Sequence, residues 1–580
     1  LIFSVGALII GLPLIAVASP FATILSPLAP VFEMTAIADS AQTSHKFEAP
    51  YPGSKAMPRW DTGELIDAPI FTWRNILAMI GPGVVMGASA IGGGEWLSGP
   101  ALTAKYGGAL LWVATVSIFF QVIYNIEISR YALYTGEPIF TGKFRIPPHP
   151  MFWLVVYLLL DWGSIFPYLV TNGAVPLEAM ILQRLPDSAN SAADWWFHKG
   201  VCTVLWFMLA IPLIFGGKIY DSLKILMSAK LIIVLGFLLL LGIFFATPAS
   251  WIDIVSGLFR FGNVPVPGGN VENVFIELAQ RGRFPEVDLS LIAVIAALAA
   301  VAGNGGLTNT PISNFTRDQG WGMGAKVGAI PSVVGGHGIT LSHVGCVFEV
   351  NDETLPKWRR WVRHISRDQL VVWLGACLMG VSLPSILSVG FLPRGTIASD
   401  WTMAAMTAEG VQKQMTNPDA GVLAHAEPLR SLISGPQWGR FGWGATLFCG
   451  FLVLITSATT TVDGFCRRWV DVVWTAVPAL RKLETDKIRY VYFTTLMTLM
   501  TLGLVIIWVT DKPGMVFKLA TTGYNFAFAF SSWHTLVVNS VLLPKQLRPN
   551  WLQRTGLVLA GVFFLSLGVM SALKLAGVVK

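Results

Sequence analysis

Charge is scarce in this chain. Asp, Glu, Lys and Arg make up 13% of its 580 residues while 54% are hydrophobic; a soluble globular protein carries about 25% charged residues. So thin a polar cover excludes an ordinary water-soluble fold: the solvent this chain meets is itself apolar. Cysteine is scarce too. Cys202, Cys346, Cys377, Cys449 and Cys466 form an odd, scattered set with no CxxC pair. That argues against a disulfide framework and against a zinc or iron–sulfur motif, and the expected state is five small buried apolar side chains. Walker A, HExxH, GxSxG and CxxCH patterns are missing, so nothing points to an enzyme such as an ATPase or hydrolase, or to a cytochrome. No cofactor is expected beyond a bound metal cation as substrate. The net charge of +7 comes with 22 tryptophans, a pairing that fits anchoring among membrane lipids and not nucleic-acid binding.

What the chain has is long apolar runs. Crossing a bilayer takes about 20 residues at 1.5 Å each, and such runs fall near 73–104, 108–134, 151–180, 200–216, 224–247, 288–315, 368–390, 443–463, 490–510, 515–543 and 555–577. Residues 1–32 are apolar but interrupted by prolines, either an extra membrane helix or a signal-like segment, and 33–72 read as a polar linker. Lys and Arg gather in alternate loops, among them Lys143 and Arg145, Arg317 to Arg367, and Arg467 to Arg489. The positive-inside rule makes those loops cytoplasmic, in a bacterial-type inner or plasma membrane. The opposite loops 248–287 and 391–442 are long. They, with the N-terminal segment, are where a protein partner would meet the chain.

Two runs are unlike the rest. The first reads Gly81-Pro82-Gly83 and then Gly92-Gly93-Gly94-Glu95; the second reads Gly303-Asn304-Gly305-Gly306-Leu307-Thr308-Asn309. Each glycine costs about 1 kcal/mol against alanine inside a helix, and backbone freed at membrane depth must line a cavity or lie buried in protein. A carboxylate at that depth costs at least about 2.5 kcal/mol, so Glu95 needs a partner, a proton or a ligand. Breaks in spans one and six of eleven are the sequence mark of a transporter site between two five-helix halves. Gly83 and Gly87, four apart, read equally well as close helix packing.

These residues also carry a resemblance. Gly81-Pro82-Gly83 with the break that follows, Gly108 to Val113, Arg130 with Thr135-Gly136, and Ser457 to Thr461 through Trp474 resemble the NRAMP (natural resistance-associated macrophage protein) metal-ion transporters, over roughly residues 75–575. The resemblance implies the inverted-repeat fold of the amino acid–polyamine–organocation superfamily, the LeuT fold. That fold has an all-α membrane body with helices 1 and 6 unwound about the substrate. The repeats would be 73–247 and 288–543, joined by the outer loop 248–287, with 555–577 as an added helix. The departures from the family are specific. Its Asp-Pro-Gly-Asn falls on Gly92 to Glu95 and its Met-Pro-His on Gly303-Asn304-Gly305, so the metal-binding Asp, Met and His are lost.

What remains is an oxygen-donor set. Gly92, Gly93, Gly94, Glu95, Gly303, Asn304, Thr308 and Asn309 are the candidate substrate residues, with Glu95 and Asn304 the metal ligands if a hard cation is bound. Asp161, Asp463 and His534 are candidates for a proton route. Glu127 and Arg130 read as a local ion pair. His337, His343 and Cys346 fit no standard metal spacing, and Trp358 to Arg363 reads as an anchor for anionic lipid. The leading expectation is a secondary, ion-coupled transporter of a metal or other inorganic cation. A carrier of a small organic zwitterion or cation, and a structural subunit of a larger membrane complex, are the alternatives.

Overall fold

Apolar runs of this length fold as helices because lipid offers their backbone groups no other hydrogen-bond partner. A computed structural model describes residues 48–49, 53–70, 72, 82–214, 219–329, 342, 344–417, 432–484 and 487–579. Residues 48–68 with 81–580 make one compact unit, and it is the unit described throughout. The segment 1–32, His337 and His343 lie outside the described residues.

Among the described residues, eight helices are long and apolar enough to cross a membrane: Trp112–Thr135, Pro150–Leu182, Ala192–Ile214, Ile225–Phe245, Thr354–Phe391, Pro436–Ala476, Ile488–Val509 and Trp551–Leu575. The first expected span begins, among the described residues, as Pro82–Ala90 and resumes through Gly94–Ser98 into Gly99–Tyr106. The sixth runs Ile292–Val301, breaks, and resumes as Pro311–Asp318. The tenth, Pro513–Val541, turns Asn525, Ser531, His534 and Asn539 into the protein.

Three boundaries differ from the apolar pattern, each for a physical reason. The eighth helix runs well past residue 463 because Asp463, Arg467, Arg468 and Asp471 are buried in protein and paired there. The third is interrupted by a tight turn at Asp161–Ile165, ahead of Pro167. The seventh starts at Thr354, and there the tryptophans face inward: Trp358 and Trp361 are buried while Arg359, Arg360 and Arg363 are exposed. The helix thus offers arginines, not indoles, to its surroundings. Of the outer-loop residues, Pro248–Gly257 and the hairpin Asn263–Val266/Asn270–Asn273 cap the start of Trp112–Thr135, the Trp112 indole donating to the Asn263 carbonyl at 2.9 Å.

Part of the expected polar linker is built into the body. Met57, Trp60 and Leu65 are buried, and Asp61–Thr62 pairs in parallel with Cys346–Val347. This strap converges on Glu137, which accepts from the Trp60 indole at 3.0 Å, Tyr131 at 2.9 Å, the Gly345 amide at 3.2 Å and Arg145 Nε at 2.8 Å. Burial alone would push the Glu137 carboxyl up, but the Arg145 guanidinium and the indole and phenol donors outweigh it and hold it below its ordinary value of 4.5. A depressed carboxylate contributes stability that is complete above the unfolded value and is lost as pH falls through the folded one. Melting temperature should therefore fall as pH drops below about 4.5, and Glu137→Gln should flatten that fall while costing about 3 kcal/mol at neutral pH. A pH series of melting curves on both proteins checks this; parallel curves would remove Glu137 from the account.

Candidate functional site

The second break is one that only glycine can make. Gly303 and Gly305 have φ of +105° and +65°, and a Cβ on Gly305 would overlap the Ala300 carbonyl. The chain turns out of the helix there, freeing amides and carbonyls, and one side chain gathers them. Gln121 Oε1 accepts from the Asn304 and Gly305 amides at 3.0 and 3.1 Å and from Asn309 Nδ2 at 3.2 Å, while its Nε2 donates to the Ala302 carbonyl at 2.7 Å.

The first break works otherwise. Gly93 has helical backbone angles, so its value lies in close approach. A Cβ there would sit 2.8 Å from the Tyr168 ring, and one on Gly94 would overlap the Val301 carbonyl. The two breaks touch backbone to backbone. Gly83 and Gly87 also serve packing: Cβ atoms there would press on Asp368 and Ala376. Glu95, fully buried, joins the breaks through its carboxylate, Oε2 accepting the Gly92 amide and Oε1 the Gly303 amide, both at 3.0 Å.

Opposite stands Lys230, from the fifth span. Its ammonium donates to the carbonyls of Ala88 at 2.7 Å and Ile91 at 2.6 Å and to Ser457 Oγ at 2.6 Å. Three acceptors use the full set of donors on an ammonium. These oxygens include the free carbonyl end of Pro82–Ala90, where the helix dipole favours a cation. A tethered cation therefore sits where a dissolved one would find its best ligands. Ser457 in turn donates to the Ser89 and Ile91 carbonyls.

Between the breaks lies a cavity with room for the centre of a water molecule over only about 10 Å³, lined by Ser89, Gly92, Gly93, Tyr168, Gly303, Asn304, Thr308, Ser457 and Thr461 among others. Of the residues expected from sequence, Gly92, Gly93, Gly303, Asn304 and Thr308 line it; Glu95 does not, and meets it through the Gly92 and Gly303 amides it accepts. Gly94 is packed on Val301, and Asn309 turns away to Gln121 and Asn125. Asn304 Nδ2 donates to the Met86 carbonyl at 3.0 Å, and both Glu95 oxygens are engaged, so the two expected metal ligands already have protein partners. Lys230 and Gln121 went unseen in the sequence, although a lysine inside an apolar span is a signal in its own right.

The proton-route candidates lie in separate networks. Asp161 takes two bonds from Arg468 at 2.8 and 2.9 Å and one from the Trp469 indole at 2.8 Å. Asp463 accepts from Arg467 at 2.6 Å and Tyr492 at 2.7 Å. Arg467 continues to Asp318, which pairs with Arg317 and so reaches Asp471. His534 Nδ1 meets the Tyr157 hydroxyl at 2.8 Å, and its Nε2 is buried without a hydrogen-bond partner among the described residues. Glu127 and Arg130 form the expected pair at 3.0 Å. A further buried trio, Glu178, His198 and Cys202, joins the third and fourth spans.

No protein-family model matches the chain, and no curated protein sequence does. Its fold has counterparts among solved structures. A mutant form of the Eremococcus coleocola manganese transporter aligns with a TM-score of 0.57 at 12% identity, covering 88% of this chain and 89% of that one. The same transporter in complex with an aromatic bis-isothiourea substituted compound gives 0.54 at 12% identity, with 87% and 88% covered. This is an integral membrane, mostly helical chain of the LeuT fold, with spans one and six broken.

Proposed function

We propose that the chain is a secondary transporter whose site takes a small polar solute of zero net charge, a zwitterion being the natural case. The observation that carries the reading is the Lys230 ammonium on the oxygens of the first break, at the same break whose Gly92 amide the Glu95 carboxylate accepts. A lysine and a glutamate together add no net charge, so the site has nothing with which to offset the dehydration of a divalent ion. At about 5 Å and an effective permittivity near 20, an ammonium repels a divalent cation by on the order of 7 kcal/mol, which cancels the attraction of one carboxylate. A zwitterion brings no net charge to offset, and its ammonium and carboxylate match in sign the Glu95 carboxylate and the Lys230 ammonium. The fold supports the transporter class; the LeuT-type arrangement alternates access around such breaks. This reading sets the substrate apart from a bare metal cation.

The test is paired. Uptake screening in proteoliposomes, with and without proton or sodium gradients, should find accumulation among small zwitterions. In a Cys202→Ser background, which disables the Glu178–His198–Cys202 trio, calorimetry with Mn²⁺ and Cd²⁺ should show no micromolar binding. Low-micromolar Cd²⁺ binding in that background that disappears with Glu95→Gln would give the site to a metal cargo instead.

A further inference from the structure

The trio between the third and fourth spans has the composition of a metal site. Glu178 lies on Tyr168–Leu182, and His198 and Cys202 lie four residues apart on Ala192–Met208, so one helix face presents both. All three are buried. His198 Nδ1 is 2.8 Å from Glu178 Oε1, and Cys202 Sγ is 3.5 Å from His198 Nε2 and 3.9 Å from Nδ1. One donor atom from each residue lies within 4.8 Å of the others. Tetrahedral zinc, with bonds of about 2.0–2.3 Å, sets its ligands roughly 3.5 Å apart, and the observed separations bracket that value.

Hydrogen bonding alone leaves the trio incomplete. Among the described residues Glu178 Oε2 is buried with no hydrogen-bond partner, and such an orphan costs about 1–3 kcal/mol. The neighbouring cation does not reach it: Lys199 donates to the carbonyls of Ile507 and Thr510. The Trp401 ring stands edge-on to His198 at 5.7 Å, closing the cluster on that side.

We propose that Glu178, His198 and Cys202 bind a zinc ion that staples the third span to the fourth. The mixed oxygen, nitrogen and sulfur donors suit zinc over the hard cations of an all-oxygen site. One carboxylate oxygen, one imidazole nitrogen and the thiolate coordinate, a water completes the tetrahedron, and the displaced thiol proton leaves to solvent with no change of oxidation state. The site is independent of the transport reading, since it shares no residue with the breaks.

The experiment is metal analysis of the full chain purified from zinc-supplemented cells, followed by cobalt exchange. About one zinc per chain is expected, together with a thiolate-to-cobalt charge-transfer band after exchange. Cys202→Ser should abolish the band, and His198→Ala should lower zinc content about tenfold or more. Cys346→Ser and Glu95→Gln should leave both readings intact, which separates this site from the one between the breaks. Because the band is read on the unmodified protein, a poorly folding variant does not shield the proposal. Wild-type protein with no bound zinc, or with zinc but no thiolate band, overturns it.

Discussion

Lys230→Met should reduce uptake by more than about a hundredfold and lower the melting temperature by several degrees. The substitution leaves an unbranched side chain one heavy atom shorter and removes its charge. Three oxygens each lose a donor, and the first break loses the cation that balances the Glu95 carboxylate there. Removing one partner of a buried charged arrangement costs about 3–5 kcal/mol, because the other is left uncompensated. Lys230→Ala should behave differently. It vacates the cage of oxygens, so added sodium should raise the melting temperature of the alanine variant and leave the wild type and the methionine variant unmoved. Unchanged uptake in both variants would make Lys230 a bystander and withdraw the zwitterion reading.

The second large effect belongs to Glu95→Gln, where uptake should fall by at least about tenfold. A merely structural buried carboxylate would gain from losing its charge, so stability would hold or rise. The geometry reverses that expectation. Each Glu95 oxygen accepts a backbone amide, one from either break, so a glutamine must turn its NH₂ toward an N–H donor. Two opposed donors cost about 1–3 kcal/mol, and the melting temperature should fall modestly. The functional share shows in a different observable: a transported solute should stabilise the wild type against heat and fail to stabilise the variant. Retained uptake together with retained solute stabilisation would end the assignment of Glu95 to the site.

Much of the fold was legible because lipid leaves so few solutions. Runs of about 20 apolar residues had to be helices, and glycines clustered within two of them had to mark breaks. The ends of the helices were less legible. Arg467, Arg468 and Asp471 look like loop residues by hydropathy, yet each is paired inside the protein, so the eighth helix continues through them. The site was half visible. Gly303 and Gly305 announced the second break by type, whereas Lys230 and Gln121 act from other spans, and no pattern local to the breaks could connect them. The trio of Glu178, His198 and Cys202 was hidden for a similar reason: its acid lies on a separate helix, and a His–Cys pair four apart matches no standard finger spacing.

The strap of residues 53–68 bears on the kinetics of the molecule. Its bonds run to the Gly345 and Val347 backbone, to Arg145, to Trp361 and to Arg481, so it stitches together stretches of chain that lie hundreds of residues apart. A motion that parts the strap from residues 345–347 must release the amides of Asp61 and Gly63, which donate to the Gly345 and Val347 carbonyls at 2.8 and 2.9 Å. Those two amides are therefore built-in clocks. Their exchange with deuterated solvent records how often that end of the molecule opens, and a solute that holds it shut would slow them without touching them.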